Sequence, residues 1–307
     1  MARFHVEPGQ AGERVDHAVA AAFPGLTVNS ARRLVTDGRV RVDGRRARKG
    51  ERLAEGQVIE VDADGAAVDP AAARVHPDPS LVVDVLYADD ALVAINKPPH
   101  LPSHPLAAGE LGTAANAIAA QFPECASASP DPREGGLVHR LDTETSGVLL
   151  AARSRQVWPL LRAALAASNC VKVYLAEVAG EPPVSGMANA EIGRVGRRGR
   201  RVRVGGGRRP LPARTTWEVL ERRDATSLVR AELRAGRAHQ VRAHLAAFGF
   251  PILGDQVYGD ERTRAVADAS GGAGLRLHAA SVAFTHPVTG VSILIQSPPP
   301  GWAMMRG

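Results

Sequence analysis

Gly135-Gly136-Leu137-Val138-His139-Arg140-Leu141-Asp142-Thr143-Glu144-Thr145-Ser146-Gly147 packs charged and polar residues between apolar ones and carries glycines at both ends. Val148-Leu149-Leu150-Ala151-Ala152 follows at once and reads as a buried strand. A charged loop delivered onto a buried strand is a rigid place to hold reactive side chains. Taken alone, Asp142 reads better as a helix cap or loop carboxylate, with Thr143 and Thr145 as turn formers.

That strand sits in a long mixed unit. Apolar runs and alternation predict further strands at 81–86, 92–96, 171–178, 215–220, 227–233, 276–284 and 291–295, and extend the one after Gly147 to 148–153. Helical spacing predicts helices at 113–121, 155–166 and 238–248. Neighbouring strands often have no helix between them, as across 217–233 and 278–295, which predicts a largely antiparallel sheet and not a doubly wound one.

Upstream, residues 11–62 read as a small separate unit. Residues 13–22 have helical spacing, Thr27-Val28-Asn29-Ser30 offers caps for a second helix at 31–36, and Asp37-Gly38 ends it. Arg39-Val40-Arg41-Val42 alternates as a strand, Asp43-Gly44 is a two-residue turn signal, and Val58-Ile59-Glu60-Val61 closes the unit. Eight basic residues (Arg32, Arg33, Arg39, Arg41, Arg45, Arg46, Arg48 and Lys49) face only Asp37 and Asp43 in that stretch. Helices followed by a basic hairpin suit a phosphate backbone; scattered surface charge is the plainer alternative. Residues 63–79, rich in Ala, Pro and Asp, read as a linker, leaving 80–307 as the large unit.

The chain has 307 residues, 45% hydrophobic and 23% charged, with a net charge of +6. These values are ordinary for a globular protein of one or two domains, and the basic balance favours a polyanionic partner. Lysine occurs only at 49, 97 and 172, so part of the arginine content reflects a preference for Arg over Lys. No run of about 18 apolar residues occurs, so no membrane span is expected. The first residues lack an apolar leader core, and Cys125 and Cys170 are far apart with no C-x-x-C pair; together these predict a cytoplasmic protein without a disulfide framework or zinc ribbon. His139, His239, His244 and His278 do not read as metal ligands: 239 and 244 are five apart, off one helix face, and no cysteine or carboxylate completes a set. His239 and His278 read as hydrogen-bonded structural residues.

A second basic stretch holds Arg194, Arg197, Arg198, Arg200, Arg201, Arg203, Arg208, Arg209 and Arg214 in a Gly-rich segment. It reads as an RNA-gripping hairpin or as a solvated loop. Gly205-Gly206-Gly207 lacks the strand-to-helix setting of a nucleotide-binding loop.

Several segments, taken in order, resemble the RluA-type pseudouridine synthases. They are Leu86–Pro99 with its Asn96-Lys97-Pro98, the His139-Arg140-Leu141-Asp142 loop, Lys172–Gly180, Leu233–His244 with its His239-Gln240-Val241-Arg242, Pro251–Asp255, Tyr258-Gly259, Leu277–Ala279 and Phe284–Pro287. The pattern S-x-R-R-L-V-x-x-G-R-V-x-V-x-G at 30–44 resembles the S4 RNA-binding module. Pro102-Ser103, Ala235, Trp217 and the density of arginine at 194–214 depart from the commoner pattern.

The resemblance implies an α+β pseudouridine synthase fold: a large mixed, mainly antiparallel sheet flanked by helices with a central cleft, plus a small N-terminal α/β S4-like domain. It implies that Asp142 is the catalytic carboxylate, that Arg242 pairs with it, and that Tyr174 packs against the target base and offers a hydroxyl for proton transfer at C5. Arg140 then fills the space left when the uridine leaves its stack; a phosphate contact or a pairing with Glu144 is its plainer role. RNA contacts are expected at Arg140, Arg32, Arg33, Arg39, Arg41, Arg45, Arg46, Arg197, Arg198, Arg200 and Arg201.

The chemistry is an isomerisation that neither gains nor loses electrons or water, so no metal or other cofactor is expected. Glycosidases need a second carboxylate to protonate the leaving group; uracil leaves as a delocalised anion, so one carboxylate suffices. Attack at C1′ and removal of a ribose proton are both open to Asp142. The expected partner is structured RNA, with 23S ribosomal RNA first and transfer RNA second, and the expected state is a monomer. The rival readings are a non-catalytic ribosome-assembly factor, against which the presence of Asp142, Tyr174 and Arg242 argues, and a glycoside hydrolase, for which no second carboxylate is recognisable.

Overall fold

The computed structural model describes residues 2–23, 26, 28–62, 74–107, 109–196, 201–234, 236–261, 263, 265–266 and 274–305. Its first unit comprises β1 (Ala2–His5), α1 (Val15–Ala22), α2 (Val28–Thr36), β2 (Val40–Val42), β3 (Arg45–Arg46) and β4 (Val58–Val61), with sheet order β1-β4-β2-β3. Val15 and Val19 of α1, Ala31, Leu34 and Val35 of α2, and Ile59 of β4 bury the apolar faces against one another. The Asp43-Gly44 turn joins β2 to β3 with positive φ at both residues, 50° and 76°, as a type I′ hairpin requires.

Strand β1 was not expected. It pairs with β4 from Ala2↔Val61 to His5↔Val58, and Phe4 meets Phe23 edge-on, so this unit reaches upstream of residue 11. The α2 helix starts at Val28, ahead of the expected 31, and the proposed cap Thr27 lies outside the described residues.

The second unit continues with β5 (Asp84–Ala88), β6 (Leu92–Lys97), α3 (Ala114–Gln121), β7 (Ser146–Ala152), α4 (Val157–Ala166), β8 (Val171–Ala179), β9 (Ser185–Asn189), β10 (Ile192–Val195), β11 (Arg201–Val204), β12 (Arg208–Leu211), β13 (Arg214–Arg223), β14 (Thr226–Leu233), α5 (Gln240–Ala247), β15 (Leu277–Thr285) and β16 (Ser292–Gln296). A nine-stranded sheet runs β5-β6-β7-β15-β8-β14-β13-β9, with β16 on β15. Among the described residues, its one parallel pair is β7–β15, at His278↔Ser146 and Ala279↔Gly147; the other pairings are antiparallel. The sheet is therefore mainly antiparallel and mixed, as expected. Apolar residues fill both of its sides: Val93, Ile95 and Leu149 pack with Ile118 of α3, while Leu92, Leu150 and Phe284 pack with Leu161 and Leu165 of α4.

Two expectations need correction. Residues 74–79 are not free linker. Val75 is buried in the same core as α3, and the Asp78 carboxylate accepts from Ser80 and from the Gly112 N–H. Residues 63–73 lie outside the described residues. The basic segment is also more than a hairpin: β10, β11 and β12 form a separate three-stranded sheet in the order β11-β10-β12. Arg201-Val202-Arg203-Val204 alternates, and Val202 is buried with Ala243 of α5, so the arginine-rich surface has a folded base. Among the described residues, no helix is long and apolar enough to cross a membrane.

Candidate active site

The loop that carries Asp142 is pinned at both ends by glycines that no other residue could replace without movement. Gly136 (φ +82°) abuts the Ala152 and Cys125 carbonyls, and Gly147 (φ +109°) lies against the backbone of Ala279 on the parallel neighbour β15. Between them, the His139 Nε2 accepts the Leu150 N–H at 3.1 Å. Burial holds the His139 pKa at about 3, so its ring is neutral and structural.

The loop after β6 grips the backbone on each side of Asp142. Ser103 Oγ donates to the Leu141 carbonyl (2.7 Å) and accepts the Leu141 N–H (3.1 Å). The Lys97 ammonium, fully buried, donates to the carbonyls of Pro98 (2.8 Å), Leu101 (2.8 Å) and Thr143 (3.1 Å). Burial lowers its pKa to about 8, opposed by the Asp142 charge. Ser103→Ala would strand a buried N–H and a buried C=O together. We expect it to cost about 1–3 kcal/mol in chemical denaturation, with a fall in turnover; parent-like stability would show that Ser103 does not hold the loop.

Helix α5 brings the cation to this loop. Arg242 Nη1 donates to Asp142 Oδ2 at 2.5 Å, while its Nε and Nη2 form a bidentate pair with Asp255 at 2.7 and 2.8 Å. Arg242 and Asp255 are almost wholly buried, and the Asp142 side chain stays 25% exposed, open to a substrate. Burial opposes the Arg242 charge, but hydrogen bonding and attraction from Asp255, then Asp142, raise its pKa further still. Burial likewise opposes the Asp255 anion, and Arg242 overcomes this and depresses its pKa. Just before α5, His239 adopts the left-handed conformation (φ 55°) and places Nε2 3.5 Å from Asp142 Oδ1.

Tyr174 lies on β8 between Ala231 of β14 and Ala279 of β15, partly buried against two core clusters. Burial, then the nearby Asp142 charge, pushes its phenol pKa up, so it stays protonated. Arg140 is exposed on the Asp142 loop. A separate cavity of about 540 Å³ lies beside this constellation, lined by Lys97, His100, Ser146, His278 and Trp302 among others; Asp142, Tyr174 and Arg242 do not line it.

The expected RNA-contacting arginines fall into three groups. Arg197, Arg198 and Arg200 lie outside the described residues. Arg201 donates to the Val257 carbonyl at 2.7 Å, beside Tyr258. In the first unit, Arg32 pairs with Asp16, Arg39 with Asp62 and Arg45 with Glu51, while Arg41 and Arg46 donate to the Gly44 and Thr36 carbonyls. Arg33 is exposed on α2. Acids folding back from elsewhere in the module thus temper a stretch that looked almost purely basic.

Sequence reasoning brought Asp142, Arg242 and Tyr174 forward and missed Lys97, Ser103, Asp255, His239 and Tyr258 as parts of the site. His239 is hydrogen-bonded, as expected, but it faces Asp142. Lys97 left a usable signal: in a chain that uses arginine almost throughout, a lysine marks a place for a compact three-donor ammonium.

Comparison with known proteins identifies the family and the fold. The family pattern for RNA pseudouridylate synthase matches residues 91–247, and that for the S4 domain matches residues 13–59. The chain is 36% identical over 286 residues to an uncharacterized RNA pseudouridine synthase of Chloroflexus aurantiacus, covering 93% of this chain and 86% of that one. It is 33% identical over 297 residues to the ribosomal large subunit pseudouridine synthase D of Pseudomonas aeruginosa, covering 94% and 89%. Among solved structures, human RNA pseudouridylate synthase domain containing 1 shares the fold with a TM-score of 0.57 at 24% identity, over 73% of this chain and 86% of that one.

Proposed function

The chain belongs to the RNA pseudouridylate synthase family, and on that premise we propose that it isomerises uridines of ribosomal large-subunit RNA with Asp142 as the reacting carboxylate. The observation that carries the assignment of Asp142 is its pairing: a part-exposed carboxylate gripped by a buried guanidinium that cannot lose its charge. Such a partner holds the carboxylate aimed. Relatives named ribosomal large subunit pseudouridine synthase D, and the S4 domain, support the choice of RNA.

The reaction breaks the bond from C1′ to N1, turns the uracil, joins C1′ to C5 and returns the C5 proton to solvent while N1 regains one. Asp142 starts it, either as nucleophile at C1′ or as base at the ribose. Tyr174 offers the uracil a ring to stack on through the turn, and Arg140 occupies the vacated stack. Arg32, Arg33, Arg39, Arg41, Arg45 and Arg46, with Arg201 and its neighbours 197, 198 and 200, follow the phosphates, so affinity falls steeply with salt. Atoms and electrons balance without a cofactor or metal, and the chain acts as a cytoplasmic monomer.

The test is to map pseudouridines across cellular RNA with and without the protein. We expect specific large-subunit ribosomal uridines to lose modification. Loss confined to transfer RNA would overturn the substrate, and no loss anywhere would overturn the enzyme reading.

A further inference from the structure

Tyr258 ties the basic three-stranded sheet to the catalytic carboxylate through His239. Its hydroxyl accepts the backbone N–H of Val202 on β11 at 3.0 Å and meets His239 Nδ1 at 3.0 Å. Its ring lies 5.4 Å from the Arg242 guanidinium and 5.9 Å from that of Arg201, and it meets the His239 ring edge-on at 5.7 Å. Arg201 also donates to the Val257 carbonyl at 2.7 Å, clamping β11 to the turn that carries Tyr258. Asp255 accepts the Val257 and Tyr258 N–H groups at 2.8 and 3.0 Å, so the same turn is fixed to the Arg242 partner.

The direction of these hydrogen bonds matters. A phenol has one proton to give. With the Val202 N–H already donating to the Tyr258 oxygen, the hydroxyl proton is available to His239 Nδ1. A neutral imidazole that accepts at Nδ1 carries its proton on Nε2, and it is Nε2 that lies 3.5 Å from Asp142 Oδ1. The ring is neutral at physiological pH because burial lowers its pKa; Asp142 and Asp255 oppose that shift, and Arg242 and Arg140 reinforce it. The left-handed backbone of His239, a conformation few non-glycine residues hold without a compensating contact, aims the ring at the carboxylate.

We propose that Tyr258 is a positioning residue for the reaction: anchored by the Val202 N–H of the basic sheet, its hydroxyl fixes the His239 tautomer whose Nε2–H faces Asp142. Seating RNA on the β10–β12 sheet and orienting the carboxylate then become one linked arrangement. His239 Nε2 then faces Asp142 Oδ1, the oxygen not engaged by Arg242, at 3.5 Å, close enough to become a second donor when the site closes on substrate.

This rests on Asp142 being the reacting carboxylate, and the test separates the two. Histidine ¹⁵N NMR on the full chain, with His239 assigned by its loss in His239→Gln, reads the tautomer without any turnover. We expect Nε2–H at His239 in the parent, and a loss of that preference in Tyr258→Phe. Turnover of saturating RNA by Tyr258→Phe should drop about five- to tenfold, the scale of one hydrogen bond. In His239→Gln, whose amide carries its own N–H, adding Tyr258→Phe should cause no further loss. A parent ring protonated at Nδ1, an unchanged tautomer in Tyr258→Phe, or additive losses in the double variant would each overturn the proposal. A parent that isomerises no RNA would overturn the functional reading instead, and the tautomer would still decide this one.

Discussion

Asp142→Asn is expected to abolish isomerisation, by at least about 10⁴-fold, the scale on which enzymes lose activity when the reacting group goes. The change keeps the shape of the side chain, and its amide oxygen can still accept from Arg242 Nη1, now 2.5 Å from Asp142 Oδ2. Arg242 retains both bonds to Asp255, so no buried charge is stranded and the fold is undisturbed. What disappears is the anion. An amide neither attacks C1′ nor takes a ribose proton. The C5 proton is released only when C1′ bonds to C5, so RNA labelled with tritium at uridine C5 reports the reaction directly. The parent should release label and the variant should release none above background, while RNA affinity changes by no more than about twofold. Retained release in Asp142→Asn would remove Asp142 from the chemistry.

Much of this arrangement was readable because local pattern and tertiary role coincide. Leu92-Val93-Ala94-Ile95 is a continuous apolar run and becomes a central strand buried on both faces. Thr113 sits ahead of an apolar helix and forms a capping box with Asn116. The Asp43-Gly44 pair demands a tight turn and makes one. Illegible parts depend on partners far along the chain. Strand β1 is four residues at a sheet edge, stabilised by β4 more than fifty positions away. Strand β9 reads Ser-Gly-Met-Ala-Asn, poor in strand-forming side chains, and exists because β13 accepts it. In the site, Asp142 and Arg242 could be named from their motifs, but nothing local announces that Lys97 reaches the Thr143 carbonyl, that Ser103 brackets Leu141, or that Asp255 completes the grip on Arg242. The charge of the first unit was counted along 32–49, whereas Asp16 and Asp62, which pair with Arg32 and Arg39, lie outside that window.

Asp255→Ala should be the most destabilising of these substitutions, because one carboxylate satisfies four donors. It accepts from Arg242 Nε and Nη2 and from the Val257 and Tyr258 N–H groups, and its side chain is 1% exposed. Without it, a buried guanidinium keeps only its bond to Asp142, and two N–H groups lose their acceptor. Removing one member of a buried pair costs about 3–5 kcal/mol, which chemical denaturation measures directly. The dependence on pH gives an internal check. The Asp255 pKa is depressed in the folded state, so its stabilisation is fully present above the ordinary aspartate value of about 3.9 and is lost as pH falls through the folded value. The stability gap between parent and Asp255→Ala should therefore be constant near neutrality and close in acid. Activity should fall at neutral pH even in the fraction that remains folded, since Arg242 held by one bond no longer orients Asp142, and a substrate 1 Å out of place can lose 100-fold in rate. A variant as stable as the parent, or a stability gap that widens in acid, would mean that Asp255 is not the anchor on which Arg242, and through it the orientation of Asp142, depends.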